Sequence, residues 1–165
     1  MTSSDKEQVM EKSYVTHSTF IIERNLSAPP ERVFAAWADP AQKRKWYAEG
    51  ERGSVESHQL DFRVCGGEHT TSIIAGGPFK GTKLTNDSIY LDIVPNQRIV
   101  FAYTMTLGDY RMSASQATVE FLRDGKGTIM AFTEQSAFFE NSDGPQMREQ
   151  GWKSLLGQLE KFLAK

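Results

Sequence analysis

From about Gly144 to Ala164, the apolar residues Trp152, Leu155, Leu156, Leu159, Phe162 and Leu163 recur at i, i+3, i+4, i+7, i+10 and i+11. This spacing gathers them into one stripe along a long helix. Such a stripe is stable only when covered, and the chain before it is short, β-rich and punctuated by glycine. Runs at 58–64, 68–75, 83–94, 98–106, 112–122 and 127–137 are separated by Cys65-Gly66-Gly67, Gly76-Gly77-Pro78 and Asp124-Gly125-Lys126-Gly127, among others. A sheet is therefore the large partner that the helix requires. Linkers this short favour antiparallel hairpins, because parallel strands need long crossovers.

The region before these runs has a different texture. Phe20 to Leu26 reads as a first strand, and Leu26 to Tyr47 as two abutting helices. Val33, Phe34 and Trp37 share one face of the first helix. Asp39-Pro40-Ala41-Gln42 starts the second, with an Asp cap and a proline at the first helical position, and the segment ends on Trp46. The order strand, two short helices, six strands, one long helix predicts an α+β fold with a curved antiparallel sheet around the terminal helix. At 165 residues this is one domain, expected over 14–165, with residues 1–13 as a polar, unpatterned tail.

Composition removes several functions. The 19 basic and 21 acidic residues give a net charge of −2 and are interspersed, so there is no electrostatic footprint for nucleic acid. Lys43-Arg44-Lys45 reads as the solvated face of the second helix. No apolar run approaches the roughly 20 residues that cross a bilayer. The polar N-terminus resembles no signal peptide, and the single Cys65 excludes an internal disulfide, so a cytoplasmic location is expected. Cys65 is most simply a small buried hydrophobe. His17, His58 and His69 lack the spacing of a metal site, and neither metal nor cofactor is expected. Gly76 to Thr82 lacks the lysine before the threonine that a phosphate loop needs and fits a hairpin turn better.

Alternation along the strands points inward. Ile99, Phe101, Tyr103 and Met105 form one apolar face; Ser113, Ser115, Ala117, Val119 and Phe121 form another, whose first half is small or hydroxylated; Met130, Phe132 and Glu134 form a third. His69, Thr71 and Ile73 share a face of the strand after Gly67. A sheet apolar at one end and polar at the other suggests a cavity for an apolar or amphipathic small molecule. Phe101, Tyr103, Met130, Phe132, Trp152 and Leu156 are its expected walls, with Trp46 as a further wall residue and Glu134, His69 and Ser115 for a polar head.

Plainer readings stand beside these. Glu134 ends a strand in water, His69 is a surface histidine, Trp46 and Trp152 are core aromatics, and Asp61 and Arg63 form an exposed pair on the outer face of a strand. Gly151 and Gly157 interrupt the helical pattern, for close packing or to leave room for a ligand. If His69 and Glu134 enter the same cavity, they could act as acid and base in an enolisation, cyclisation or hydration.

Several segments in order carry a resemblance: Ala28 to Pro40 (APPERVFAAWADP) with Trp46, Asp61 to Gly67 (DFRVCGG), Asp92 to Val100 (DIVPNQRIV), Gly127-Thr128, Thr133-Glu134-Gln135 and Gly151-Trp152. Over about residues 15–164 the chain resembles the activator-of-Hsp90-ATPase-homologue-like branch of the START-related SRPBCC superfamily. The resemblance implies a helix-grip fold, in which six or seven antiparallel strands wrap the C-terminal helix and enclose a deep hydrophobic cavity. Leu26 to Tyr47 becomes a plug at one end of that cavity, with Trp37 in the core. It further implies one of three activities: binding of a lipid, polyketide or aromatic; a cyclase or dehydratase; or activation of an Hsp90-type chaperone ATPase. A chaperone partner is disfavoured, since the chain lacks the additional N-terminal domain of the eukaryotic co-chaperone. Glu68-His69 follows Gly-Gly where the family often has a large apolar residue, which makes the wall more polar. Exposed sheet edges would permit a homodimer, though no residue decides it.

Overall fold

The chain's structure, a computed structural model, describes residues 14–49 and 54–165; the tail expected at 1–13 lies outside them. Strand β1 (Thr16–Leu26) leads into helix α1 (Pro30–Ala38) and helix α2 (Pro40–Lys43), which runs on into a single π-helical turn (Arg44–Ala48). Six strands follow: β2 (Ser54–Leu60), β3 (Gly67–Ile73), β4 (Lys83–Val94), β5 (Arg98–Leu107), β6 (Tyr110–Asp124) and β7 (Gly127–Phe138); helix α3 (Pro145–Leu163) closes the order.

All strand pairs are antiparallel, in one sheet of order β1-β7-β6-β5-β4-β3-β2. Consecutive β1 and β2 thus occupy opposite edges, about six strand spacings of ~4.8 Å apart if the sheet were flat. The two short helices make that crossing. Asp39 sets the corner: its N–H donates to Ala35 O at 2.9 Å, ending α1, while its Oδ1 accepts from Gln42 N at 2.9 Å, capping α2. Register shifts at Val55/Ser57, Tyr90/Asp92 and Met105/Thr106 leave Glu56, Leu91 and Met112 out of register, the bulges by which β2, β4 and β6 bend.

The core lies between the sheet and the helices. Trp152, Leu155, Leu156 and Leu159 of α3 meet Phe101, Val119, Met130 and Phe132 of the sheet and Val33 and Trp37 of α1, all buried. Trp152 packs on Phe132 in a tilted pair at 4.3 Å between centroids, and Trp37 meets Trp46 edge-on at 5.0 Å.

Several expectations change. The strand expected at 58–64 runs Ser54–Leu60, and residues 61–66 form a tight turn in which Asp61 N donates to Gly67 O and Gly66 N to Arg63 O. An added Cβ at Gly66 would lie 2.3 Å from Asp61 O, so glycine is required there. Asp61 and Arg63 are an exposed ion pair, but in this turn and not on a strand. Cys65 is exposed with φ +67° and is not a buried hydrophobe, because the turn projects it outward. Lys43, read as solvated, is only 2% exposed, since the turn after α2 folds it back onto the sheet. Gly157 meets nothing within 4 Å of an added Cβ, which removes close packing as its explanation.

Candidate functional site

A cavity of about 550 Å³ lies between the N-terminal half of α3 and the β3–β5 end of the sheet. This falls within the ~300–1,000 Å³ of small-molecule sites. Its wall is mostly apolar, with Ile74, Leu84, Met105, Leu107, Met112 and Leu155 prominent. Tyr47 borders it from the segment after α2, and Gly151 borders it from α3. Phe79 and Met147 also line it and are 54% and 68% exposed, which puts them at its mouth.

One group of the site's polar side chains is joined in a buried network around Arg148, which also lines the cavity. Arg148 Nε and Nη2 donate to the two oxygens of Asp143, each at 2.8 Å. Its Nη2 also donates to Ser113 Oγ at 2.6 Å, and its Nη1 to Tyr103 Oη at 3.2 Å and Ser115 Oγ at 3.3 Å. The Tyr103 hydroxyl donates to Glu134 Oε2 at 2.6 Å and accepts from Trp152 Nε1 at 3.0 Å. Ser136 Oγ donates to Glu134 Oε1 at 2.7 Å, and Arg148 Nη1 stands 3.7 Å from that oxygen.

This environment perturbs Glu134, Tyr103 and Arg148. Burial raises Glu134 above its ordinary value, against the opposing hydrogen bonds of Tyr103 and Ser136 and the charge of Arg148. Burial and the Glu134 carboxylate push the Tyr103 hydroxyl up. Burial works against the Arg148 cation, but Tyr103, Asp143 and Glu134 more than offset it, and the guanidinium stays charged.

Of the residues expected to form the cavity, Tyr103 and Trp152 line it. Glu134 is fully buried on the inner face, yet it and Ser115 sit behind Arg148 and do not border the open space. Phe101, Met130, Phe132 and Leu156 belong to the solid core, where their bulk fills the space it would need to leave. Trp46 is also core: it is buried and its Nε1 donates to Ala36 O at 2.8 Å, while the neighbouring Tyr47 reaches the cavity. The small residues Ser113 and Ser115 do leave room, and the guanidinium of Arg148 occupies it. Arg148 escaped the sequence reading, although it stands four residues before Trp152 and so on the buried face of α3.

His69 is placed elsewhere. On β3 the buried residues are Glu68, Thr70 and Thr71; Glu68 and Thr70 share the inner face, and His69 takes the opposite one with Thr71, bonded to Asp87 and to Thr71 Oγ1 with its side chain 44% exposed. It shares no hydrogen bond with Glu134. The face expected from His69 is thus one residue out of phase with the one that carries Glu68 and Thr70 inward.

The residue that points inward is Glu68. Its carboxylate accepts from Lys43 Nζ at 3.0 Å and Tyr90 Oη at 3.0 Å, and His58 Nε2 lies at 2.7 Å. Burial would raise its pKa, but Lys43 and His58 prevail and hold it down at about 2. Lys43 Nζ in turn lies over Trp37, Tyr47 and Trp46, at 4.7, 4.8 and 5.5 Å from their ring centroids.

Among the described residues, the buried side-chain polar atoms without a hydrogen-bond partner are Trp37 Nε1 and Thr70 Oγ1. Thr70 lies on the cavity wall, directly across the β3–β4 ladder from Asn86, another lining residue. An unpaired buried hydroxyl is destabilising, so Thr70→Val is expected to raise the unfolding free energy by about 1 kcal/mol. A denaturant midpoint no higher than that of the parent protein would contradict this.

Also among the described residues, no group of three or more His, Cys, Asp or Glu is placed to hold a metal ion. No helix is long and apolar enough to cross a membrane.

A seven-stranded antiparallel sheet holding its C-terminal helix over a largely apolar cavity defines a helix-grip domain of the START-like, SRPBCC type. The chain belongs to the family described as activator of Hsp90 ATPase homolog 1-like protein, whose model matches residues 27–164. Among solved structures it is similar to an uncharacterised protein from Rhizobium leguminosarum, with 42% identity, a TM-score of 0.83, and coverage of 91% of this chain and 96% of the other. The Mll3558 protein from Rhizobium loti is 43% identical, with a TM-score of 0.81 and coverage of 91% and 99%. Protein CV1439 from Chromobacterium violaceum is 26% identical, with a TM-score of 0.72 and coverage of 89% and 97%. No curated protein matches the chain.

Proposed function

We propose that the protein binds an apolar or amphipathic small molecule, a lipid, polyketide or aromatic compound, between α3 and the sheet. The observation that carries this reading is the cavity itself: about 550 Å³ of mostly apolar wall in a domain whose core is otherwise well filled. Family membership supports it, because the fold is one used for ligand binding. A cyclase or dehydratase built on His69 and Glu134 has less support, since the two side chains belong to separate networks. Activation of a chaperone ATPase rests on the family description alone. An unchanged Hsp90 ATPase rate at saturating protein would remove it.

The neutral fluorophore N-phenyl-1-naphthylamine tests the binding reading. Its emission is expected to rise saturably with the parent protein and to fail to do so with Leu84→Trp, which places an indole in the cavity. Circular dichroism checks that the variant folds. No saturable signal, or the same signal in parent and variant, would overturn the reading.

A further inference from the structure

We infer that the cavity selects ligands whose polar head donates hydrogen bonds and carries no negative charge, a hydroxyl or an amine, and rejects carboxylates. This rests on the binding role proposed above. An arginine bordering an apolar cavity would ordinarily be the natural partner of a carboxylate or phosphate. Here that role is already filled from within. A guanidinium offers five N–H groups, and Arg148 makes five hydrogen bonds: one from Nε to Asp143, two from Nη1 to Tyr103 and Ser115, and two from Nη2 to Ser113 and Asp143. Tyr103 is saturated too. Its one proton goes to Glu134, and its oxygen accepts from both Arg148 and Trp152, whose only side-chain N–H is thereby used.

Charge points the same way. Arg148 is the one cation in this network and stands within 2.8 Å of Asp143 and 3.7 Å of Glu134. Its charge is therefore compensated before any ligand arrives. The capacity left in the cavity lies with acceptors and neutral groups. Asp143 borders the cavity with its side chain 19% exposed, and each of its oxygens accepts one N–H from Arg148, leaving lone pairs for an incoming donor. Ser72 and Asn86 line the opposite wall. An anionic head would lose its water beside Asp143 and meet no charged donor, a desolvation that neutral hydroxyls and amides do not offset. A hydroxyl or ammonium would instead donate to Asp143.

Three probes that share one ring system and differ only in the head test this with the full chain near neutral pH: naphthalene-2-methanol, 2-(aminomethyl)naphthalene and 2-naphthoic acid. Titration followed by calorimetry is expected to give the alcohol and the amine at least tenfold tighter binding than the carboxylate. Asp143→Asn removes one anionic partner of Arg148 and is expected to improve carboxylate binding about tenfold while weakening the amine. A carboxylate that binds the parent protein as tightly as the alcohol and amine overturns the inference and leaves the binding role intact. So does failure of all three probes where N-phenyl-1-naphthylamine binds. Failure of that fluorophore as well overturns both. The comparison on the parent protein decides the matter even if Asp143→Asn folds poorly.

Discussion

Lys43→Met is expected to lower the unfolding free energy by about 3–5 kcal/mol, the usual cost of removing one partner from a buried ion pair. Glu68 is nearly inaccessible, and with Lys43 gone its carboxylate keeps only His58 and Tyr90 as partners. Methionine preserves most of the bulk over Trp37, Trp46 and Tyr47, so the loss reports on charge more than on packing. The double variant Lys43→Met with Glu68→Met is expected to recover much of the stability, because neither charge is then buried alone. Acidity gives an independent check. The carboxyl of Glu68 falls from an ordinary 4.5 to about 2 in the folded protein, so its contribution is present above about 4.5 and is lost as pH falls towards 2. Without Lys43, burial moves that carboxyl upward, and acid then relieves the variant while it weakens the parent. The gap in urea midpoint between the two is therefore expected to narrow from pH 7 to pH 4. A gap independent of pH, or a double variant no better than the single one, would assign the loss to packing of the plug.

The contrast between Glu68 and His69 marks where the sequence stops being informative. Strands β5, β6 and β7 carry one face of large apolar residues, and their inward sets, from Ile99 to Met105, Ser113 to Phe121 and Met130 to Glu134, follow from period-two alternation. The stripe on α3 is equally plain, and the two kinds of periodicity define a sheet over a helix. Strand β3 has no such face. Its two candidate sets, Glu68-Thr70-Ser72 and His69-Thr71-Ile73, are both mostly polar, and the choice between them depends on Lys43, 25 residues earlier, which local pattern does not reveal. The position of the cavity is hidden from local pattern for a related reason. Large inward side chains such as Phe101, Met130, Phe132 and Leu156 mark where space is filled, whereas the opening lies where the inward residues of β3 and β4 shorten to Thr70, Ser72 and Asn86.

Arg148→Met is the sharper test of how the cavity floor is built. The substitution removes five hydrogen bonds and the cation beside two carboxyl groups, one of them fully buried. A loss of about 3–5 kcal/mol is expected at neutral pH. Its pH dependence has the opposite sign to that of Glu68 in the parent protein. Burial raises Glu134, so the fold favours its protonated form, and the stability it contributes is full below the ordinary 4.5 and lost as pH rises through the folded value. Deleting the Arg148 charge raises that value further, and the deficit of the variant is expected to grow as pH rises from 5 to 8. Adding Glu134→Gln to Arg148→Met takes away the ionisable group and is expected to flatten this dependence. Arg148→Lys should recover little, since an ammonium has three donors and no fork with which to bridge Asp143, Tyr103 and the two serines. Urea midpoints across that pH range decide it: a deficit constant with pH, or one that Glu134→Gln leaves sloping, would mean that the hydrogen-bonding shape of Arg148 and not its charge against Glu134 holds the floor together.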